Sequence, residues 1–213
     1  MAISQQGLLK HRPFLFHLTA VANLDRILRT RRLDSAAGLL RLAGRSDLAR
    51  LKRHNHVTVD LGGERVLLRD QAVLYAGNMA LEPGWTLEAF VEHLNKRVFF
   101  WPGSEEGPIP YGVRHYERYS DEKPAILRVE TADLLAHNPG RPPLFCRYNS
   151  GSPRCSSGLG SPRGANTFRP AEQADFGVGN VVEVTFLDDV RLPARVDIGA
   201  RPAGPWRANR LRA

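Results

Sequence analysis

The stretch PFLFHLTAVANLDRILRTRRL, residues 13–33, decides how the rest of the chain is read. Pro13 to Thr19 form a short, aromatic-rich run. Side chains alternate along a strand, so His17 and Thr19 fall on one face. Directly afterwards Leu24, Ile27, Leu28 and Arg31 recur at helical spacing, with Asn23 placed as the N-cap. A strand therefore feeds straight into an amphipathic helix.

Residues 34–53 continue as helical material: Leu39, Leu40 and Leu42 precede a break at Gly44, and Leu48 and Leu51 follow a new cap at Ser46. His56–Asp60 and Arg65–Arg69 alternate around Gly62-Gly63, a hairpin signal. Helix is expected over 71–80 and, beyond Pro83-Gly84, over 86–95, where Thr86 caps a face of Leu87, Phe90, Val91 and Leu94. RVFFWP, 97–102, is the most apolar and aromatic run and reads as a buried strand. Tyr111–Tyr119 reads as a short helix, Ala125–Glu130 as a strand, and Thr131–His137 as a turn of helix. Asn180–Asp188, NVVEVTFLD, is a further strand, with Glu183 on the side of Val181, Thr185 and Leu187. Between Pro139 and Pro170 the composition turns to Gly, Pro, Ser and Arg, with GSPR twice, at Gly151–Arg154 and Gly160–Arg163. Such a segment buries too little apolar area for regular structure and reads as one long loop, 139–170. A basic tail, 202–213, closes the chain. Strands and helices interleave without a strict period, which favours one α+β domain over 1–213 rather than a doubly wound parallel sheet.

The 213 residues carry 30 Lys plus Arg against 22 Asp plus Glu, a formal charge of +8. Lysine occurs only at Lys10, Lys52, Lys96 and Lys123, so 26 of the basic residues are arginine. The planar guanidinium pairs bidentately with phosphate, which makes nucleic acid or a phosphorylated ligand a plausible partner. No run approaches the roughly 20 apolar residues of a membrane-spanning helix. The N-terminus also lacks a signal peptide's order of features, so a cytoplasmic location and no membrane partner are expected. Cys146 and Cys155 read as a thiol pair of a reducing compartment. With the scattered histidines they offer no zinc-ligand spacing, so no metal is expected.

Phosphate-binding loop, dinucleotide fingerprint, zinc-protease and serine-elbow motifs are all missing. What remains is a set of polar residues lodged in apolar strands. His17 reads as a packed strand histidine or as a catalytic one. Glu183 either faces solvent or, facing inward, must be paired or used, because burying a carboxylate is costly. Arg53, Arg69 and Arg97 each lie at the edge of an element. Asn149-Ser150-Gly151 and Arg163-Gly164 are turns whose backbone N–H groups suit an anion.

Three segments, in order, carry a resemblance: FHLTAVANLDRILRTRRL at 16–33, LNKRVFFWPGS at 94–104 and VVEVTFLDDVRLP at 181–193. The chain resembles the DarT-type ADP-ribosyltransferases, which transfer ADP-ribose from NAD to a DNA base, and a group of bacterial proteins neighbouring them. The resemblance implies an ADP-ribosyltransferase-like split β-sheet core with flanking helices, NAD as co-substrate and no metal. It implies Glu183 as the catalytic carboxylate, His17 on the nicotinamide-side ribose and Thr19 supporting the pocket. An arginine ahead of the aromatic strand would grip NAD, Arg53 by first choice as a catalytic residue and Arg69 by second as a cofactor contact, with Asn149 a further cofactor contact. The implied acceptor is a base of single-stranded or unstacked nucleic acid, and a toxin role with an antitoxin partner follows. Two other readings stay open: transfer to a protein or small molecule, or NAD hydrolysis, on the same fold; and a basic nucleic-acid-binding module without catalysis.

Overall fold

The strand-to-helix passage expected over 13–33 forms β1 (Phe14–Ala20) and α2 (Leu24–Thr30), preceded by α1 (Gln5–His11). The structure is a computed structural model that describes residues 3–152 and 162–210. Along the chain follow β2 (Arg32–Asp34), α3 (Ala36–Leu42), β3 (Val57–Asp60), β4 (Arg65–Leu68), α4 (Leu87–Asn95), β5 (Arg97–Ser104) and β6 (Gly107–Pro108). Then come α5 (Pro110–Glu117), β7 (Pro124–Glu130), α6 (Thr131–Ala136), β8 (Leu144–Cys146), β9 (Glu183–Leu187), β10 (Asp189–Arg191), β11 (Arg195–Gly199) and β12 (Arg207–Arg210). The architecture is α+β, an antiparallel main sheet with helices flanking it. Among the described residues no helix is long and apolar enough to cross a membrane.

The main sheet runs β12-β11-β7-β1-β5-β9-β8, with β6 on β5. Its middle is divided. β5 pairs with β1 only through Trp101–Gly103, against Phe14–Phe16, and with β9 through Arg97–Phe100, against Val184–Leu187. From His17 onward β1 is paired with β7 alone. β5 is thus shared end to end between two sub-sheets. One face of the sheet is covered by a large apolar cluster that includes Leu15, Val98, Phe100, Leu127, Val184 and Phe186. α4 closes a second cluster, where Phe90, Val91 and Leu94 pack with Cys146 and Phe168, as the Thr86-capped pattern predicts.

Local chemistry accounts for most of the elements. Gly62 and Gly63 both have positive φ, 73° and 91°, in the two-residue turn joining β3 to β4, where a side chain would be strained. Asn23 occupies the N-cap position of α2 but makes no side-chain capping hydrogen bond. Its amide instead donates to the Leu67 carbonyl (3.0 Å) and accepts from the Leu67 N–H (2.9 Å), tying the β3–β4 hairpin to the end of β1.

Four expectations are corrected. Residues 71–80 hold only a 3-10 turn at Ala76–Asn78, because the Asp70 carboxylate takes the Ala72 N–H (2.8 Å) and starts a turn instead of a helix. The break expected at Gly44 follows the end of α3 at Leu42, but the second helix expected from Ser46 to 53 is only a 3-10 turn, Ser46–Arg50. The segment 139–170 is not all loop. Leu144–Cys146 form β8 against β9, and Phe145 exchanges backbone hydrogen bonds with Arg169 (2.8 and 2.9 Å). The tail is not all tail either: Arg207–Arg210 add edge strand β12, anchored by Trp206 against Phe16 (ring centroids 5.7 Å). Cys155 and half of each GSPR copy, residues 153–154 and 160–161, lie outside the described residues.

Candidate active site

Glu183 opens β9 and pairs with Cys146 of β8, two strands from β1. It is 3 % exposed, so the solvated-face reading of this carboxylate is excluded. The Ser150 N–H donates to Oε1 at 3.1 Å, while Oε2 is buried without a hydrogen-bond partner among the described residues. Burial pushes the carboxyl up from 4.5 to about 7, against the opposing pull of Ser150 and the Arg163 guanidinium. Arg163 is itself 2 % exposed. It donates to the backbone carbonyls of Asn149 (3.2 Å) and Ser152 (2.8 Å) and stacks over the Tyr148 ring at 4.4 Å. Its own backbone is held by Ala80 and Glu82 (2.8 and 2.9 Å). Asn149 thus contributes a carbonyl to Arg163, and the carboxylate is met by the next residue, Ser150. The Cys146 thiol, buried beside this carboxylate, is pushed well above its ordinary value.

A second group gathers at the far end of β1. His17 lies beside Phe100 (ring centroids 5.6 Å), and its Nδ1 meets the Phe99 carbonyl at 2.9 Å. A carbonyl only accepts, so Nδ1 carries the proton and Nε2 presents a lone pair. Desolvation drives the imidazole down to about 4, with the Arg69 charge adding to the effect, so the ring is neutral at pH 7. Arg69 donates Nη2 to the Thr19 carbonyl (2.9 Å) and lies over the Tyr119 ring at 4.6 Å. Its Nε and Nη1 are buried without hydrogen-bond partners among the described residues. Arg53 differs: Nε donates to the Arg69 carbonyl (2.8 Å) and Nη1 to Asn95 Oδ1 (2.9 Å). Burial lowers it to about 10.

His17, Thr19, Arg69 and Arg53 are therefore brought together, and so are Asn149 and Glu183. Among the described residues no hydrogen bond joins the two groups, and β5 stands between them. Sequence reasoning missed several members. His115 of α5 packs on Trp101 (5.5 Å) and edge-on to Tyr119 (5.3 Å). Burial, together with the charges of Arg69 and Arg118, pushes it down to about 4. Gly112 lets α5 approach this closely, since a Cβ there would lie 2.9 Å from Trp101. Burial likewise raises Tyr119 to about 12, leaving a protonated phenol. Ser150 and Arg163 were visible only as turn residues.

A hollow of about 420 Å³ lies beyond Tyr148, lined by Glu82, Arg147, Tyr148, Asn166, Arg169 and Phe176 among others. None of the residues nominated from sequence lines it. Among the described residues no cluster of three or more His, Cys, Asp or Glu side chains is placed to hold a metal ion. No curated protein and no solved structure gives a significant match to the chain. A family model does match, over residues 13–196, from the start of β1 into β11. The chain therefore belongs to the family of unknown function DUF7002.

Proposed function

We propose that this protein is an NAD-dependent ADP-ribosyltransferase acting on a base of nucleic acid. The observation that carries the reading is Glu183: a carboxyl buried in a late strand, met at Oε1 by the Ser150 N–H and left at Oε2 without a hydrogen-bond partner among the described residues. Buried polar groups are nearly always satisfied, and one kept at a cost to stability marks a functional site. The same argument extends to the two unpartnered donors of Arg69.

NAD supplies an ADP-ribosyl group. Its ribose C1′–nitrogen bond breaks with the electron pair leaving on nicotinamide, so positive charge develops on the sugar. Glu183 opposes that charge as a carboxylate and accepts a hydrogen bond from the ribose 2′-hydroxyl, which strengthens in the transition state. The cationic pyridinium favours the ionised form of a carboxyl poised at about 7. His17, neutral and protonated at Nδ1, accepts a ribose hydroxyl at Nε2. Arg69, with Nε and Nη1 uncommitted among the described residues, fits the pyrophosphate better than Arg53, whose guanidinium is spent on Asn95 and the Arg69 carbonyl. The arginine excess supports a polyanionic acceptor.

Incubation with NAD labelled in its adenylate phosphate, together with single-stranded DNA, RNA or a protein mixture, tests the proposal. Label on the nucleic acid, lost in Glu183→Gln, is the expected result. Label on protein alone, or free ADP-ribose alone, overturns the acceptor. No turnover of NAD overturns the whole reading.

A further inference from the structure

Residues 41–54 hold Arg41, Arg45, Arg50, Lys52, Arg53 and His54 against a single acidic residue, Asp47. Arg45 pairs with Asp47 (3.5 Å) and Arg50 with Glu92 of α4 (3.3 Å). Arg41 and Lys52 have no carboxylate partner among the described residues. Arg53 turns inward, and its backbone exchanges hydrogen bonds with Gln71: the Gln71 N–H donates to its carbonyl at 2.7 Å, and its own N–H to Gln71 Oε1 at 3.3 Å. This pairing lays 50–54 beside 71–75. On the outside lie Leu51 (54 % exposed), Val73 (37 %) and Tyr75 (57 %), with Lys52 Nζ 4.2 Å from the centre of the Tyr75 ring. An exposed aromatic ring flanked by apolar side chains and topped by an ammonium is an unusual surface to leave to water.

We infer that this surface binds single-stranded nucleic acid, with a base stacked on Tyr75 and an adjoining phosphate on Lys52. Single strands bind where an aromatic platform adjoins a cationic track, since an unstacked base offers a π face that a duplex keeps covered. The cationic excess supplies the charge complementarity. Arg53 links the surface to the Arg69 and His17 group, because the residue that follows Lys52 in the chain is the one that reaches the Arg69 carbonyl. The inference deepens the proposed function by naming where the acceptor strand lies, and it rests on that reading only for the fate of the strand once bound.

Fluorescence anisotropy of the full chain without NAD reads it directly, using 15-nucleotide oligo-dT, oligo-U and a duplex of the same length. Tyr75→Ala is expected to weaken both single strands about tenfold or more, with Tyr75→Phe retaining binding. Lys52→Glu is expected to flatten the plot of log affinity against log salt by about 0.7 for each phosphate the protein no longer neutralises. Both side chains are at the surface, and unchanged circular dichroism confirms the fold. Wild-type affinity in Tyr75→Ala and Lys52→Glu, or tighter binding of the duplex, overturns the surface. Transfer of label to an oligonucleotide that ignores Tyr75→Ala refutes the surface and leaves the proposed function standing. The expected loss of binding with no NAD turnover does the reverse.

Discussion

Replacing Glu183 by Gln tests whether this carboxyl is retained against the interest of the fold. Glutamine keeps the shape, and its Oε1 still accepts from the Ser150 N–H, but it has no proton to lose. In the unfolded chain Glu183 titrates near 4.5, and in the folded protein at about 7, because burial disfavours the charged form. A group whose pKa is raised on folding contributes stability that is complete below pH 4.5 and is lost as pH rises through about 7. At about 1.4 kcal/mol per pH unit, that interval is worth about 3 kcal/mol. Wild type therefore loses about this much relative to Glu183→Gln between pH 4.5 and 8 and no more above it. Urea unfolding of both proteins at half-unit steps from pH 4.5 to 9 measures the difference, and titrating groups that do not feel the Glu183 charge cancel in the comparison. The variant should gain on wild type with rising pH and then level off. A difference that stays flat, or one that widens toward acid, would show a carboxylate already paired in the native state, and the reasoning from an unsatisfied buried oxygen would fall.

Arg53 and Arg69 separate cleanly in the same terms. Arg53→Ala removes a donor from the Arg69 carbonyl and from Asn95 Oδ1, so it should cost about 1–3 kcal/mol in urea unfolding, chiefly as lost structure. Arg69→Ala should weaken NAD binding by isothermal titration at least tenfold, with the smaller loss of stability. Equal NAD affinity in Arg69→Ala and wild type would remove it from the site. His17→Ala should raise the NAD dissociation constant about tenfold, and an unchanged value would make His17 a packed residue only.

What could be read in the sequence was whatever buries apolar side chains in long runs. β1, β5, β7 and β9 each carry enough aromatic or β-branched residues to declare themselves, and Glu183 stood out because β9 is otherwise greasy. β8 was hidden because three apolar residues, Leu144 to Cys146, sit within a Gly- and Pro-rich stretch, and their strand status comes from pairing with β9 on one side and Arg169 on the other. β12 was hidden because Arg207, Ala208 and Asn209 have no apolar alternation, and long-range pairing with β11 overrides that composition. At the site the same limit applied. A lone glutamate can be found in a strand, but the N–H that binds it, from Ser150, and the charge that acts on it, from Arg163, come from the loop segment, whose local sequence states only that it turns. His115 was placed by tertiary approach across Gly112 and Trp101, for which helical periodicity gives no sign.

The division of the sheet explains why His17 is the hardest of these residues to assign by mutation. Where β1 leaves β5 beyond Phe16, the Phe99 carbonyl loses its strand partner on that side, and a buried unpaired carbonyl is costly. His17 meets that carbonyl with Nδ1–H and so repairs the gap in the ladder. The same bond fixes the tautomer and leaves the lone pair on Nε2. Structural repair and presentation of an acceptor are then one hydrogen bond, and deleting the ring removes both. Glu183 carries no such double duty, since the Ser150 N–H satisfies only Oε1 and the backbone pairing of β9 proceeds without the carboxylate. A loss of activity in Glu183→Gln therefore reports on chemistry, whereas a loss in His17→Ala must be weighed against the stability that the Phe99 bond supplies.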